Sequence, residues 1–317
     1  MKKVLAVYYS QTGQLSSVIK SICAPLESTP GIEVSYECLQ PVEPYPFPWS
    51  FFQFLDVFPE SVYLDPPRLK PLSSTADGEY DLILIAYQVW FLSPALPITA
   101  FLQSEQGKRL LKDKPVITVI ACRNMWLMAQ EKMKQLISAA QGRLLDNIAL
   151  VDSGSSLLTF ITTPRWLLSG NKGRSDGWLP VAGVSEEEIH ASARFGRALV
   201  PALQQGLERG DGPLLEGLRA VSVDTRLIPS EKIGTRSFMI WGKLLRRVGN
   251  SGSAARKPVL FIYVVFLISL IISVVPLTML LRTLLRPLMR RRLARQKEYF
   301  EQPSGSAETR LAEFSHD

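Results

Sequence analysis

The 317-residue chain has only two histidines, His190 and His316, and three cysteines, Cys23, Cys38 and Cys122, with no paired spacing among them. This scarcity excludes a structural zinc site and a Cys-His nucleophile, and reads as thiols buried in a reducing compartment. Acid is missing over a long stretch: from Lys232 to Lys297 there are fourteen Lys or Arg and no Asp or Glu. Since the whole chain carries a net +7, the remainder carries −7. A mildly acidic body is therefore joined to a strongly basic tail, whose natural partners are nucleic acid or anionic lipid. Basic residues are in turn absent from the turn Ser10-Gln11-Thr12-Gly13-Gln14. A nucleotide P-loop needs its lysine, so this turn is not one.

Residues 4–9 read as a buried strand, and the turn opens a helix carrying Leu15, Val18, Ile19 and Ile22. Hydroxyls and free N–H groups at a helix N-terminus favour an anion, and with no cation present a phosphate monoester fits. An ordinary strand–turn–helix with polar caps has the same pattern.

The choice of partner for the tail turns on residues 258–281, PVLFIYVVFLISLIISVVPLTMLL, which hold no charge over 24 residues and are bounded by Lys257 and Arg282. That length crosses a bilayer core with some tilt, so a membrane-embedded helix is expected and membrane lipid, not nucleic acid, is the partner. Five positive residues lie between Lys243 and Lys257 and seven between Arg282 and Lys297. The positive-inside rule then leaves two arrangements, a single crossing or a segment that dips in and returns. No secretory signal opens the chain, so the N-terminal domain is expected to remain on the cytoplasmic side of the membrane.

Strands are expected at residues 4–9, 33–38, 81–86, 116–121 and 148–152, and helices at 13–26, 96–103, 125–140 and 185–206. Non-alternating Val, Ile and Leu runs between helical patterns describe a parallel sheet covered on both faces. Ser185-Glu186-Glu187-Glu188 is a capping box. The fold class is thus α/β, a doubly wound five-stranded parallel sheet of order 2-1-3-4-5, in which ligands bind beyond the carboxyl ends of the strands.

Two further loops follow strand ends. One is Tyr87-Gln88-Val89-Trp90-Phe91-Leu92-Ser93-Pro94, the other Cys122-Arg123-Asn124-Met125-Trp126. With the first turn they resemble the flavodoxin superfamily over residues 2–203. Ser10, Thr12 and Gly13 match its [ST]-x-T-G-x-T phosphate loop, while Leu15 stands in place of the last threonine. Trp90 matches the aromatic of its first flavin loop, with Gln88 where proline is common. The resemblance implies FMN, its phosphate held by Ser10, Gln11, Thr12, Gly13, Gln14 and Leu15, and its ring by Tyr87, Val89, Trp90, Phe91, Cys122, Arg123 and Asn124. Tyr87, Arg123 and Asn124 are the polar residues expected to orient a substrate. No catalytic acid or base emerges, and His190 falls within a helix as a structural residue.

Residues 40–78 form an insertion far longer than the usual connection. Tyr45, Phe47, Trp49, Phe51, Phe52, Phe54, Phe58 and Tyr63 place eight of the 29 aromatics in 19 residues. A lid, an acyl slot, a bilayer contact and a small satellite core all fit this composition. Residues 153–183 hold Trp166 and Trp178, with Arg165, Arg174 and Asp176 as candidate substrate contacts. The domain is expected to end at 211. Residues 212–257 then join it to the membrane through an amphipathic basic helix carrying Phe238, Ile240, Trp241, Leu244 and Leu245. After the apolar run a basic stretch with Arg290-Arg291-Arg292 gives way to an unstructured end, 302–317.

The phosphate loop, the insertion PYPFPWSFFQFLDVFPESV and the C-terminal apolar run together resemble bacterial flavodoxin-like proteins known as dialkylresorcinol condensing enzymes. The resemblance implies a membrane-anchored FMN-dependent oxidoreductase with an apolar or lipid-like substrate, working beside a redox or biosynthetic partner enzyme. The chain has no Cys-His-His or Cys-His-Asn set, so the expected step is oxidation of a cyclic diketone to an aromatic ring, not condensation. An NAD(P)H-dependent quinone or FMN reductase, a membrane-docked electron carrier and a non-catalytic scaffold remain open alternatives.

Overall fold

The computed structural model describes residues 1–152, 159–173 and 181–315, and within these only the backbone of 159–161, 271 and 274–289. In chain order the elements are β1 (Lys2–Tyr8), α1 (Gln14–Glu27), β2 (Ile32–Cys38), α2 (Phe51–Asp56), α3 (Phe58–Tyr63), β3 (Leu82–Tyr87), β4 (Val89–Trp90) and β5 (Ser93–Pro94). They continue with α4 (Leu96–Gln103), α5 (Glu105–Leu111), β6 (Pro115–Cys122), α6 (Leu127–Ala139), β7 (Arg143–Val151), α7 (Thr159–Ser169), α8 (Glu186–Ala191), α9 (Ala193–Gln204), α10 (Ile228–Val248), α11 (Arg256–Glu301) and α12 (Leu311–Phe314).

Five strands pair in parallel in the order β2-β1-β3-β6-β7, while β4 and β5 form a separate two-residue hairpin. With that hairpin set aside, this is the 2-1-3-4-5 order of a flavodoxin-like sheet. Strand pleating sorts the core into two layers. Val4, Ala6, Leu82 and Leu84 pack under α1 and α9 with Ile19 and Leu199. Leu5, Val7, Ile83 and Ile85 face α4 and α6 with Phe101 and Met133.

The last sheet strand begins at Arg143, five residues before the expected 148. Asp146 and Asn147 give the sequence a loop character there, yet both are fully buried. Asp146 accepts from the Leu214 and Leu215 N–H groups (2.7 and 3.3 Å) and from the Ser304 hydroxyl (2.8 Å). Partners supplied from the C-terminal third of the chain thus turn a polar pair into strand. Burial pushes the Asp146 carboxyl up to about 6 in spite of those donors.

The same contacts correct the expectation of an unstructured end. Residues 302–315 lie on the body: Ser304 is fully buried, Arg219 N donates to Ala307 O (2.8 Å) and Arg310 N to Gly217 O (2.9 Å). Arg197 Nε reaches Phe314 O at 2.7 Å. Polar composition alone hid this, because the end is held by hydrogen bonds to backbone atoms and to the Asp146 carboxylate.

The expected amphipathic helix is α10, and its apolar stripe docks on the insertion. Phe58, Leu55, Val62, Leu245, Leu260 and Tyr263 form a satellite core flanked by Phe238 and Trp241. Ile240 and Leu244 stay exposed. Residues 258–281 lie inside the 46-residue α11. Among the described residues no helix is long and apolar enough to cross a membrane, so the expected spanning helix gains no support there. Its exposed face does carry Phe261, Ile262, Val265, Phe266, Ile268 and Ile272.

The expected 185–206 helix resolves as α8 and α9, meeting at Ser192, whose hydroxyl donates to Ile189 O at 2.6 Å. Gly196 brings α9 onto α1: a Cβ there would stand 1.9 Å from Ile22 O. Gly196→Ala should destabilise the fold by about 1–3 kcal/mol, since backbone must shift to admit the methyl. Thermal unfolding monitored by circular dichroism reads this directly.

Candidate functional site

The carboxyl ends of β1, β3 and β6 meet where the strand order reverses. From β1 the chain runs through Ser10–Gly13 into α1. Gly13 has φ of +83° with open space where a Cβ would stand, so glycine is required there by conformation, not by crowding. Ser10, Thr12 and Ser16 are half-buried, and Ser10 Oγ accepts from Ser16 N at 3.4 Å. Gln11 Nε2 donates to Pro46 O at 2.7 Å, tying the insertion over the turn.

Two residues expected in the phosphate site do other work. Gln14 clamps Val184, donating to its carbonyl (3.0 Å) and accepting from its N–H (3.2 Å). Leu15 points into the core and is 1% exposed. The missing threonine is therefore a core position here, and hydroxyls near the turn come from Ser10, Thr12 and Ser16.

After β3, Tyr87 departs from its expected role. It is wholly buried, and its hydroxyl donates to Gln130 Oε1 at 2.7 Å. Gln130 passes this network on to Thr118 Oγ1 (3.0 Å), which donates to Asn147 Oδ1 (3.0 Å). Tyr87 thus pins α6 to the sheet, and burial pushes its phenol well above the ordinary range. Sequence position at a strand end did not reveal which way its side chain turns.

The next residues make the tight β4–β5 hairpin, with Trp90 paired to Ser93. Phe91 and Leu92 both take positive φ, 49° and 57°. A two-residue turn of this kind ordinarily recruits Asn-Gly, and each bulky residue costs about 1–2 kcal/mol in that conformation. Burying large apolar side chains contributes about 1.5–3 kcal/mol apiece, enough to offset it. Phe91 contacts Phe54, Phe58 and Phe238 at 5.0–5.8 Å, and buried Leu92 sits against Gly234 of α10.

Trp90 is half-buried, and the rings of Tyr9, Tyr45 and Trp49 meet it at 82–86°. None of those three takes a parallel stacking position on it. The insertion's Trp49 N also donates to Leu167 O at 2.8 Å, and Phe47 meets Trp166 edge-on, so α7 joins the roof. Val89 lies beside Trp90, half-buried.

After β6, Cys122 and Arg123 offer their carbonyls to Asp152 N, both at 3.0 Å. Asp152 Oδ2 accepts from Gly183 N at 2.7 Å. Gln14, Val184, Gly183, Asp152 and Cys122 therefore form one hydrogen-bonded belt joining the ends of β1, β6 and β7. Arg123 Nε donates to Asn124 Oδ1 (3.3 Å), and burial lowers its guanidinium to about 10, still charged at neutral pH. Burial raises the Cys122 thiol above its ordinary range. Arg165 is exposed on α7, while Arg174 and Asp176 lie outside the described residues. His190 is exposed on α8. Among the described residues no group of His, Cys, Asp and Glu is arranged to hold a metal.

Two ionisable residues, half-buried Lys132 and fully buried Glu231, escaped the sequence reading. Lys132 donates to Val62 O (2.9 Å) and Ser93 Oγ (2.7 Å), joining α6 to α3 and the hairpin, and burial lowers it to about 8. Glu231 of α10 caps α6 just beyond the Cys122–Asn124 loop, accepting from Met128 N at 2.9 Å. Nothing in their spacing marks either; both sit where a helical pattern predicts ordinary surface.

No protein-family model and no curated protein sequence matches the chain. Among solved structures, a flavoprotein in complex with FMN from Lactobacillus acidophilus NCFM is 19% identical with a TM-score of 0.38, covering 47% of this chain and 93% of its own. A flavodoxin from the domain Archaea is 11% identical with a TM-score of 0.35, over 64% and 99% of the two chains. A flavone reductase is 13% identical with a TM-score of 0.33, over 64% and 63%. At identities and scores this low, the flavodoxin-like assignment rests on the strand order itself.

Burial raises the Glu231 carboxyl to about 7, outweighing the backbone donors of Trp126, Leu127 and Met128. A carboxyl raised above its unfolded value stabilises the fold at low pH, and that share is lost as pH climbs through the folded value. Stability should therefore fall between about pH 4.5 and about pH 7. Glu231→Gln should remove part of the fall, leaving the share of Asp146, and thermal midpoints across that range test it.

Proposed function

We propose that this chain is an FMN-dependent oxidoreductase that works beside a membrane on an apolar, lipid-like substrate. The observation that carries the reading is the meeting of three unlike loops at the strand-order switch point: a cation-free hydroxyl turn at a helix N-terminus, the Trp90 hairpin and the Cys122–Asn124 loop. Open ligand sites in doubly wound sheets lie at this place.

The residues present fit the cofactor. The α1 N-terminus and the Ser10 and Thr12 hydroxyls suit a dianionic monoester, with Gly13 holding the turn open for its approach. Trp90 offers an aromatic face to a planar ring, and Tyr45 and Trp49 shield that side from water. The backbone of 122–124, fixed by Asp152, supplies polar groups at the ring's other edge, with Arg123 as the nearby charge. When bound, FMN supplies hydride acceptance and return, and the protein positions and tunes it.

The substrate class follows from composition around the site. The insertion and hairpin contribute aromatics, and the adjoining α10 and α11 expose large apolar residues beside a charge-free run. Within the family resemblance of the phosphate loop and insertion, the reaction is aromatisation of a cyclic diketone in dialkylresorcinol-type lipid synthesis.

Purified full-length protein should be yellow and release FMN on denaturation. Colourless protein that cannot be reconstituted would sink the reading. Gly13→Ala should weaken FMN binding about tenfold, the cost of a left-handed alanine, as read by flavin fluorescence titration. With flavin bound, conversion of a cyclohexenone-type acyl substrate supports the biosynthetic role. NADPH oxidation with quinones would instead mark a reductase.

A further inference from the structure

The helix that carries the apolar run does not leave the body; both of its ends are fastened to it. At the start of α11, Arg256 is 1% exposed and pairs with Asp56 (3.3 Å) and Glu60 (2.8 Å), while Tyr263 packs on Phe58 and Phe238. At its far end Tyr299 donates to Glu131 (2.6 Å), Phe300 is buried, and Ser304 reaches Asp146. Lys232 Nζ lies 5.8 Å from the Phe300 ring. Lys232 and Phe238 stand on the same helix, about 9 Å apart along its axis. Yet the 37 helical steps from Tyr263 to Phe300 would span about 55 Å if straight. The helix therefore goes out and comes back, and Pro276 and Pro287 fall in the stretch between, residues at which helices bend.

A single crossing would place residues 299–315 on the far side of roughly 30 Å of hydrocarbon. Their contacts with β7, α6 and α9 would then all be lost. An out-and-back arm keeps those contacts. It also keeps the basic clusters on either side of the run on one face, which removes the conflict in the positive-inside rule.

At the return of the arm lies a groove of about 530 Å³ lined by Lys232, Arg291, Arg292, Arg295, Tyr299 and Phe300. Carboxylates of this neighbourhood are engaged by other groups, Glu131 by Tyr299 and Lys134, Glu301 by Lys297. A cationic groove with aromatic walls, at the foot of an arm exposing Phe261, Ile262, Val265 and Phe266, matches a phosphate headgroup whose acyl chains run alongside the arm.

We infer that residues 258–281 form a re-entrant arm that enters and leaves an anionic bilayer on the body's own side, with phosphate headgroups seated in the Lys232–Arg295 groove. The inference rests on the membrane association proposed above, and the experiment separates the two. Full-length protein in sealed inverted membrane vesicles is treated with an impermeant maleimide. The native exposed Cys38 reports the body, and Ala312→Cys or Ala307→Cys in a Cys38→Ser background reports the tail. Modification of both from the same face is expected; modification from opposite faces overturns the arm alone. Absence of the protein from membranes overturns the association and the arm together.

The groove has its own arm of the test. Replacing Arg291, Arg292 and Arg295 with Gln, all exposed positions, should weaken binding to phosphatidylglycerol-containing vesicles on the order of a hundredfold. Binding to phosphatidylcholine vesicles should be weak in both proteins. Equal binding by parent and variant, or displacement of the parent by millimolar inorganic phosphate, overturns the headgroup site.

Discussion

One buried carboxylate holds the C-terminal third of the chain to the sheet. Asp146 stands in the middle of the edge strand β7, where an unpaired charge would be costly. It is satisfied by two N–H groups from residues 214–215 and by a hydroxyl from residue 304. Each donor needs the acceptor as much as the acceptor needs them, so the edge strand, the connection that follows α9 and the end of α11 stand or fall together. Through them the edge of the sheet is covered, and the long excursion of α11 is obliged to end where it began.

The opposite end of that excursion combines an ion pair with apolar packing. Arg256 locks α11 to α2 and α3 through two carboxylates, and around this ion pair the satellite core assembles. A chain of ring contacts runs from it to the site: Trp90, Trp49, Phe54, Phe91, Phe238, Tyr263, Trp241 and Phe266, with no step longer than 6.1 Å. The insertion is thus both a roof over Trp90 and the bedding for the helices that follow, two roles that sequence composition could list but not choose between.

What the sequence disclosed follows from the kind of signal each element leaves. Strands β3 and β6 are charge-free apolar runs and β1 becomes one from Val4 onward, and α4 was legible to the residue. The turn at Gly13 was readable because its chemistry is local. Asp146, Glu231 and Lys132 were not, since their partners lie 68–158, 103 and 39–70 residues away and no local pattern encodes them. Leu15, Gln14 and Tyr87 were assigned to the ligand by position in a motif, while their side chains turn to the core, to Val184 and to Gln130. Position in a motif does not by itself fix the direction in which a side chain turns.

The left-handed pair Phe91-Leu92 has a consequence for how the protein is made. The hairpin presenting Trp90 is held in an unfavourable backbone state by Phe54, Phe58, Phe238 and the surface around Gly234. Two of those supports lie more than 140 residues downstream. During synthesis strands β1, β3 and β6 and the Ser10–Gly13 turn are complete well before α10 emerges, but the hairpin gains its full clamp only once α10 has docked. Completion of the Trp90 hairpin is in this way tied to the arrival of the segment that precedes the apolar arm, so a nascent chain without that segment would hold paired strands and an unclamped hairpin.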